Sequence, residues 1–333
     1  MEDASLPTIS VVIPTYNRAA VVERTLRCLA AQEYPAGRFE VLVVDNSADA
    51  TPAMVKRIAA ETSCEIRLVA DAPRLPAVKR NIGLRQAAGD LVLFFNDDVW
   101  AVPSLLLEHA RTHAKHDAPI AVIGLVEQSP EMPWTPFGAA YRPFAYHQIA
   151  HCADQPVSWR NFWSMNLSLP RREMLARDLL FHEDWAEIGH EDIELGYRWS
   201  QAGREIIFNP RARGDHFHPH SVASACQLQE SIGRGLRDLD QLIPPEAGLL
   251  ERYGVFTWRN SPRSIARGLV RRALFNSRTA PALAGWLGRQ TRRSRLTDWM
   301  YWKVLLHYAE RGYRNAAPHA TRPRTTLPAE DVR

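Results

Sequence analysis

Leu91-Val92-Leu93-Phe94-Phe95-Asn96-Asp97-Asp98 decides the architecture. Five uninterrupted apolar residues are too few for an ordinary helix and show no polar alternation, so they read as a strand buried on both faces. Three polar residues follow at its carboxyl end. Runs of the same kind flank it on both sides: Ile9-Ser10-Val11-Val12-Ile13-Pro14, Phe39-Glu40-Val41-Leu42-Val43-Val44, Glu65 to Ala70, and Ile120 to Val126. Between them, residues 19–32 carry helix-period apolar positions. Thr51-Pro52 reads as an N-cap with proline at N1, opening a helix to about residue 60. Leu75 to Ala88 reads as a helix ended by Gly89, and Pro103 starts another. Continuous apolar strands alternating with helices predict a mostly parallel sheet covered on both faces, an α/β fold without internal repeats.

The chain has 333 residues, 46% hydrophobic and 23% charged, which excludes a largely disordered protein and allows a large core or a domain with an appendage. No apolar run approaches the roughly 18 residues needed to cross a bilayer. Met1-Glu2-Asp3-Ala4-Ser5 has neither a basic nor an apolar leader region, so a cytoplasmic location is expected. Cys28, Cys64, Cys152 and Cys226 lie far apart with no metal-ligand spacing, and are expected as reduced thiols.

The net charge of +4 conceals two different parts. Residues 1–250 hold 24 Lys and Arg against 32 Asp and Glu, a balance of −8, whereas residues 251–333 hold 17 against 5, a balance of +12. The natural boundary falls at Pro244-Pro245. In the basic part, Trp258, Trp286, Trp299, Tyr301 and Trp302 are interleaved with arginine, a pattern that suits nucleic acid, an anionic membrane or an acidic partner. A helical appendage with a solvated arginine face is the plainer alternative. Ile265 to Phe275 and Leu296 to Tyr308 read as amphipathic helices with Arg on one face and Trp or Leu on the other. Residues 316–333, with three prolines, are expected to be a disordered end.

Ligands of open α/β sheets bind at the carboxyl ends of the strands. Those ends here are Thr15-Tyr16-Asn17-Arg18, Asp45-Asn46-Ser47 and Asn96-Asp97-Asp98. No G-x-G-x-x-G follows the first strand and no G-x-x-x-x-G-K-[ST] occurs anywhere, which disfavours a dinucleotide-binding domain and a P-loop. Carboxylates after a buried strand can hold a divalent cation, although Asn and Asp also cap helices. Gly189-His190-Glu191-Asp192-Ile193-Glu194 opens a helix running from about Glu191 to Ala202 and ending at Gly203. Acids in its first turn are favoured by the helix dipole and can equally be simple caps. Asp215-His216-Phe217-His218-Pro219-His220 places three histidines in five residues, enough to bring an imidazole to a metal, although a lone histidine is usually structural.

Taken together and in order, these segments resemble an inverting glycosyltransferase of family 2 with the GT-A fold. The residues carrying the resemblance are Val11 to Arg18, Val43 to Ser47, Lys79 to Leu84 through Ala88-Gly89-Asp90, Asn96-Asp97-Asp98, Met165 to Ser168 with Arg171-Arg172, and Gly189 to Arg198. It spans roughly residues 8–220. The resemblance implies that Pro14, Thr15, Tyr16 and Asp45 bracket the nucleotide base, with Arg80 near the base or diphosphate and Asp97 facing the ribose. It further implies that Asp98 ligates Mn²⁺ or Mg²⁺ with His216 or His218, that Asp192 beside Glu191 is the general base, and that Asn166 and Trp163 serve the sugar or acceptor. Asn96 departs from the acid usual at the first position of the family's D-x-D, and brings an oxygen without charge.

The domains so implied are a GT-A catalytic domain over 1–245 (nucleotide half about 8–126, acceptor half about 127–245), a basic helical extension over 246–315, and the tail. Expected partners are a nucleotide-sugar donor, with UDP or dTDP favoured by the resemblance, and a saccharide, lipid-linked or small-molecule acceptor. Nucleic acid is not the expected partner, and the basic helices suggest peripheral contact with the inner membrane face. The alternatives are a nucleotidyltransferase of related fold and an inactive sugar-nucleotide-binding or scaffold protein working through its basic tail, for which Asn96 is the one feature that speaks.

Overall fold

The computed structural model describes residues 6–70, 73–141, 145–184, 189–244, 247–257 and 260–316. The expectations for Pro245, Trp258 and residues 317–333 lie outside these. The chain forms two compact units. The first comprises residues up to 132, 145–184 and 195–218; the second comprises 133–144, 185–194 and 219 onward.

The first unit is built on one sheet. Its elements begin β1 (Ile9–Thr15), α1 (Ala19–Ala30), β2 (Phe39–Asp45), α2 (Thr51–Glu61), β3 (Glu65–Val69), α3 (Pro76–Gln86) and β4 (Leu91–Phe95). They continue with β5 (Val99–Ala101), α4 (Leu105–His113), β6 (Ala121–Gln128), α5 (Pro136–Ala140, in the second unit), α6 (Tyr146–Ile149), β7 (Gln155–Pro156), β8 (Asn166–Pro170), α7 (Arg171–Ala176), α8 (Glu191–Gln201) and β9 (Ile206–His216). The sheet order is β3-β2-β1-β4-β8-β6-β9-β5, with β7 on β9. The β3-β2-β1-β4 half is wholly parallel, as the apolar runs predict, and β1 and β2 pair from Ile9–Phe39 to Thr15–Asp45. Past β4 the sheet is mixed: β8 enters antiparallel between β4 and β6, while β6 and β9 are parallel.

Two local readings are corrected. Thr51 is the first residue of α2, not its cap; Asp49 Oδ1 accepts from the Thr51 N–H (2.9 Å) and hydroxyl (2.6 Å). Gly89 does not end α3, which stops at Gln86. Its backbone passes so close to β1 that a Cβ would lie 2.7 Å from Ser10 N, and its N–H donates to Ser10 Oγ (2.8 Å). Glycine is required there by proximity rather than by a left-handed cap.

The second unit is helical: α5, the first turn of α8, then α9 (Val222–Leu242), α10 (Ala247–Arg252), α11 (Pro262–Leu274), α12 (Thr279–Leu287) and α13 (Arg295–Asn315). Its two long helices, α9 and α13, both open with a Ser capping box, at Ser221 and Ser294. They pack against each other. A Cβ on Gly233 would collide with the Ala309 carbonyl, and one on Gly312 with the Glu230 carbonyl, so the two glycines let the backbones approach. Phe137, Val222, Cys226, Phe275, Leu287 and Tyr301 belong to its core. Beside it, buried Arg271 and half-buried Arg272 both bond the buried Glu310 carboxylate. All four cysteines are free. Among the described residues no helix is long and apolar enough to cross a membrane.

Candidate active site

The carboxyl ends of β1, β2 and β4 carry the polar residues singled out from sequence, and β9 delivers the histidines to the same place. Asn17 adopts a left-handed backbone (φ 52°), which asparagine tolerates, and its side chain and N–H bond Ala48 N and Ser47 Oγ. The turn aims Arg18 at the acids. Asp97 Oδ2 accepts from Thr15 Oγ (2.7 Å), and Oδ1 from Arg18 Nη1 (2.9 Å). Asp98 Oδ2 faces Arg18 Nη2 at 3.0 Å and His218 Nδ1 at 2.8 Å. Register holds the histidines in place, because Val99 pairs with His216 and the Phe217 N–H donates to the Asp98 carbonyl.

Both acids are buried, with opposite consequences. Burial, reinforced by the adjacent Asp98 charge, pushes the Asp97 carboxyl up to about 6 against the pull of Arg18. For Asp98 burial also pushes upward, but His216, His218 and Arg18 outweigh it and hold the group well below the usual carboxylate range. Asp98 therefore stays ionised as a ligand must.

Asp98, His216 and His218 present ligand atoms that all lie within 4.8 Å of one another. Asp98 Oδ1 is buried and has no well-formed hydrogen bond, its facing group being His216 Nε2 at 3.4 Å. A buried carboxylate oxygen held only by so long a contact is costly, and a cation shared with the imidazoles would satisfy it. These residues fit a divalent metal. His220 does not join them; its ring meets Tyr141 edge to face at 5.2 Å.

The other expected residues divide. Asp45 is buried at the end of β2, and its Oδ1 accepts from Ser47 N (2.9 Å) and Oγ (2.5 Å). The half-buried Tyr16 ring lies beneath the Arg74 guanidinium at 4.6 Å, and Pro14 precedes it at the strand end. Arg80 is buried with its guanidinium 5.4 Å from the Phe181 ring centre. Its neighbour Lys79 takes the strand-end position: buried, it donates to the Thr15 carbonyl and to Asn46 Oδ1 (2.6 Å). Burial depresses the Lys79 ammonium, and Asp45 and Asp97 partly offset this.

Asn166 is fully buried inside the sheet, bonded to His109 Nε2 (2.9 Å) and to the Ala212 carbonyl (2.8 Å). That is a core position, with the side-chain amide committed to these neighbours. Trp163 packs against Tyr146 with ring centres 4.6 Å apart.

Asp192 belongs to the second unit, in the first turn of α8. Gly189 (φ 114°) and His190 (φ 73°) bend the chain into that turn. Glu191 is buried and accepts from the Gly189 N–H (2.9 Å); half-buried Asp192 accepts from the Ile193 N–H (2.8 Å). Glu191 thus fixes the turn and Asp192 is the more accessible acid. In the same unit a cavity of 1240 Å³, walled by Trp134, Phe137, Val222, Leu287 and Tyr301, touches only His220 of the residues singled out as site candidates.

Sequence reasoning missed Arg18 and Lys79. Arg18 stands in a quoted strand-end segment and Lys79 on α3, in the quoted Lys79 to Leu84 segment; a cation close in sequence to such a segment was the signal.

The family model "Glycosyl transferase family 2" matches residues 10–157. The uncharacterized glycosyltransferase YfnE of Bacillus subtilis is 32% identical, over 67% of this chain and 68% of its own. The validoxylamine A glucosyltransferase of Streptomyces hygroscopicus subsp. jinggangensis is 30% identical over 75% of this chain. The chain spans 65% of the length of that relative and 61% of its counterpart from subsp. limoneus. In structure it is similar to the mannosyltransferase PcManGT from Pyrobaculum calidifontis, solved with GDP-Man and Mn²⁺ (TM-score 0.64, 20% identity, 94% of this chain and 88% of that one). The fold is that of the GT-A glycosyltransferases, and the chain belongs to glycosyltransferase family 2.

Proposed function

We propose that the protein moves a sugar from a nucleoside diphosphate, UDP or dTDP, to an acceptor hydroxyl in one inverting displacement. The observation that carries this is the Asp98–His216–His218 cluster with its under-satisfied carboxylate oxygen, set beside Asp97 at the strand ends. Asp98, His216 and His218 would hold a divalent cation, which would supply neutralisation of the charge building on the leaving diphosphate. Two imidazoles with one carboxylate favour Mn²⁺ over Mg²⁺, which prefers oxygen ligands.

The chain's own residues do the rest. Tyr16 offers its ring and Asp45 a carboxylate to the base, with Arg74 and Lys79 supplying positive charge near the same strand ends. Asp97, tied by Thr15 and Arg18, stands where the ribose would lie. Asp192, in the first turn of a helix, takes the proton from the acceptor hydroxyl. Glu191 holds the turn that presents it. The division expected from sequence, a catalytic domain over 1–245 and a basic extension over 246–315, would part α9 from α13, which pack together in the second unit. A lipid-linked acceptor in glycolipid or polysaccharide assembly would be met by peripheral contact with a membrane. Relatives whose names state glucosyl transfer or succinoglycan biosynthesis (Rhizobium meliloti ExoO, 27% identical over 75% of this chain) support a role in glycoside assembly.

Calorimetric titration of UDP, dTDP and GDP with and without Mn²⁺, on wild type and Asp98→Ala, tests the reading. Metal-dependent binding of one nucleotide, lost in the variant, is expected. Absence of binding by folded wild-type protein would refute it and return attention to the scaffold alternative.

A further inference from the structure

Helix α11 is packed inside out. Its buried positions are Ser264, Gly268 and Arg271, one face at helical spacing, whereas Leu269, Val270 and Leu274 are 56%, 60% and 58% exposed. An ordinary surface helix does the reverse. The inversion is held in place by Arg271, whose Nη2 donates inward to Glu310 and to the Gly254 carbonyl. Helix α13 adds a second outward row. It buries Thr297, Tyr301, Val304 and Leu305 and exposes Leu296 (58%), Trp299 (48%) and Trp302 (50%). Phe275, at the end of α11, meets Trp299 edge to face at 5.8 Å, which joins the two rows. Of the nine large hydrophobic side chains exposed among the described residues, seven fall between Leu269 and Trp302. Such clustering marks a surface that something covers.

Charge identifies the occupant. Residues 262–303 contain ten Lys and Arg; Arg271 and Arg272 are held by Glu310 and Arg293 by the segment's one acid, Asp298, which leaves seven others. A second copy of the same face would bring like charge against like charge. An anionic lipid surface instead attracts the arginines, while Trp and Leu enter the boundary between headgroups and acyl chains. We propose that the α11–α13 face is a membrane-docking surface that lies in the plane of an anionic bilayer, with Leu269, Val270, Leu274, Leu296, Trp299 and Trp302 inserted. It stands independently of the donor site.

Co-sedimentation of the full chain with phosphatidylcholine vesicles, and with vesicles also containing phosphatidylglycerol, tests it. Binding is expected to the anionic vesicles only, and to weaken as salt is raised. Leu269→Ser with Leu274→Ser removes exposed side chains and should weaken binding by at least about tenfold. Arg263→Glu with Arg267→Glu should weaken it on anionic vesicles through charge alone. Circular dichroism and nucleotide titration confirm that each variant is folded and its donor site unchanged. Equal binding by wild type and both variants, or no binding to either vesicle, would overturn the proposal. So would a lipid-free dimer that the Leu269→Ser/Leu274→Ser variant abolishes, since the face would then be covered by a second copy.

Discussion

His109 sits with no exposed surface between α4 and β8, and its hydrogen bonds fix its protonation. Asn166 Nδ2 donates to the Ala212 carbonyl, which leaves Asn166 Oδ1 to accept from His109 Nε2–H. His109 Nδ1 must then accept the hydroxyl proton of Ser168 (2.8 Å). Having given that proton, Ser168 Oγ accepts from His113 Nε2–H (2.8 Å). Both imidazoles are neutral in this chain, and a second proton on His109 would meet a donor in a dry site. Burial accordingly pulls His109 down to about 4, with Asn166 opposing, and His113 to about 3.

A pKa lowered on folding gives stability that is whole above the unfolded value, near 6.5, and is lost as pH falls through that value toward the folded one. For His109 the loss is about 0.2 kcal/mol at pH 7 and about 2 kcal/mol at pH 5, a difference on the order of 1.8 kcal/mol from this group alone. The perturbation is His109→Gln, whose amide can donate to Asn166 Oδ1 and accept from Ser168 but cannot titrate. Urea unfolding at pH 7 and pH 5 should show wild type losing about 1.8 kcal/mol more than the variant over this interval. The variant should be less stable than wild type at pH 7, because its shape is imperfect. Parallel losses in the two proteins would refute the neutral, buried assignment.

Other expectations concern the site and the helical unit. Asp192→Asn should lower kcat by about 10²–10⁴-fold with little change in donor affinity, measured by steady-state transfer and by nucleotide titration. Lys79→Met leaves the Thr15 carbonyl and Asn46 without their donor, and should cost about 1–3 kcal/mol in denaturant unfolding while weakening nucleotide binding. Gly312→Val drives a side chain into the Glu230 carbonyl, and should destabilise the α9–α13 packing by at least about 1–3 kcal/mol, seen as a lower thermal midpoint.

What could be read in the sequence and what could not divide along a physical line. The parallel half of the sheet was legible because both faces of β1, β2 and β4 are buried, which forces continuous apolar runs that no helix of that length would need. The strand-end acids were legible for the same reason, since each follows directly on such a run. Strand β8 escaped because Asn166 and Ser168 are polar and yet wholly buried. Their burial is made tolerable by two histidines 55 to 59 residues away, and no local pattern announces it. Arg18 escaped similarly. Its role depends on Asp97, 79 residues on, and His218, 200 residues on, meeting at one point. Helix α11 gives the sharpest case. Its amphipathic period was visible, but period alone does not say which face turns inward. A buried glutamate on α13 recruits Arg271 and so sends the leucines outward. Local pattern therefore fixes elements wherever apolar burial alone governs. Where a buried polar group must find its partner, the partner's position in space decides, and that is where the site and the docking face arise.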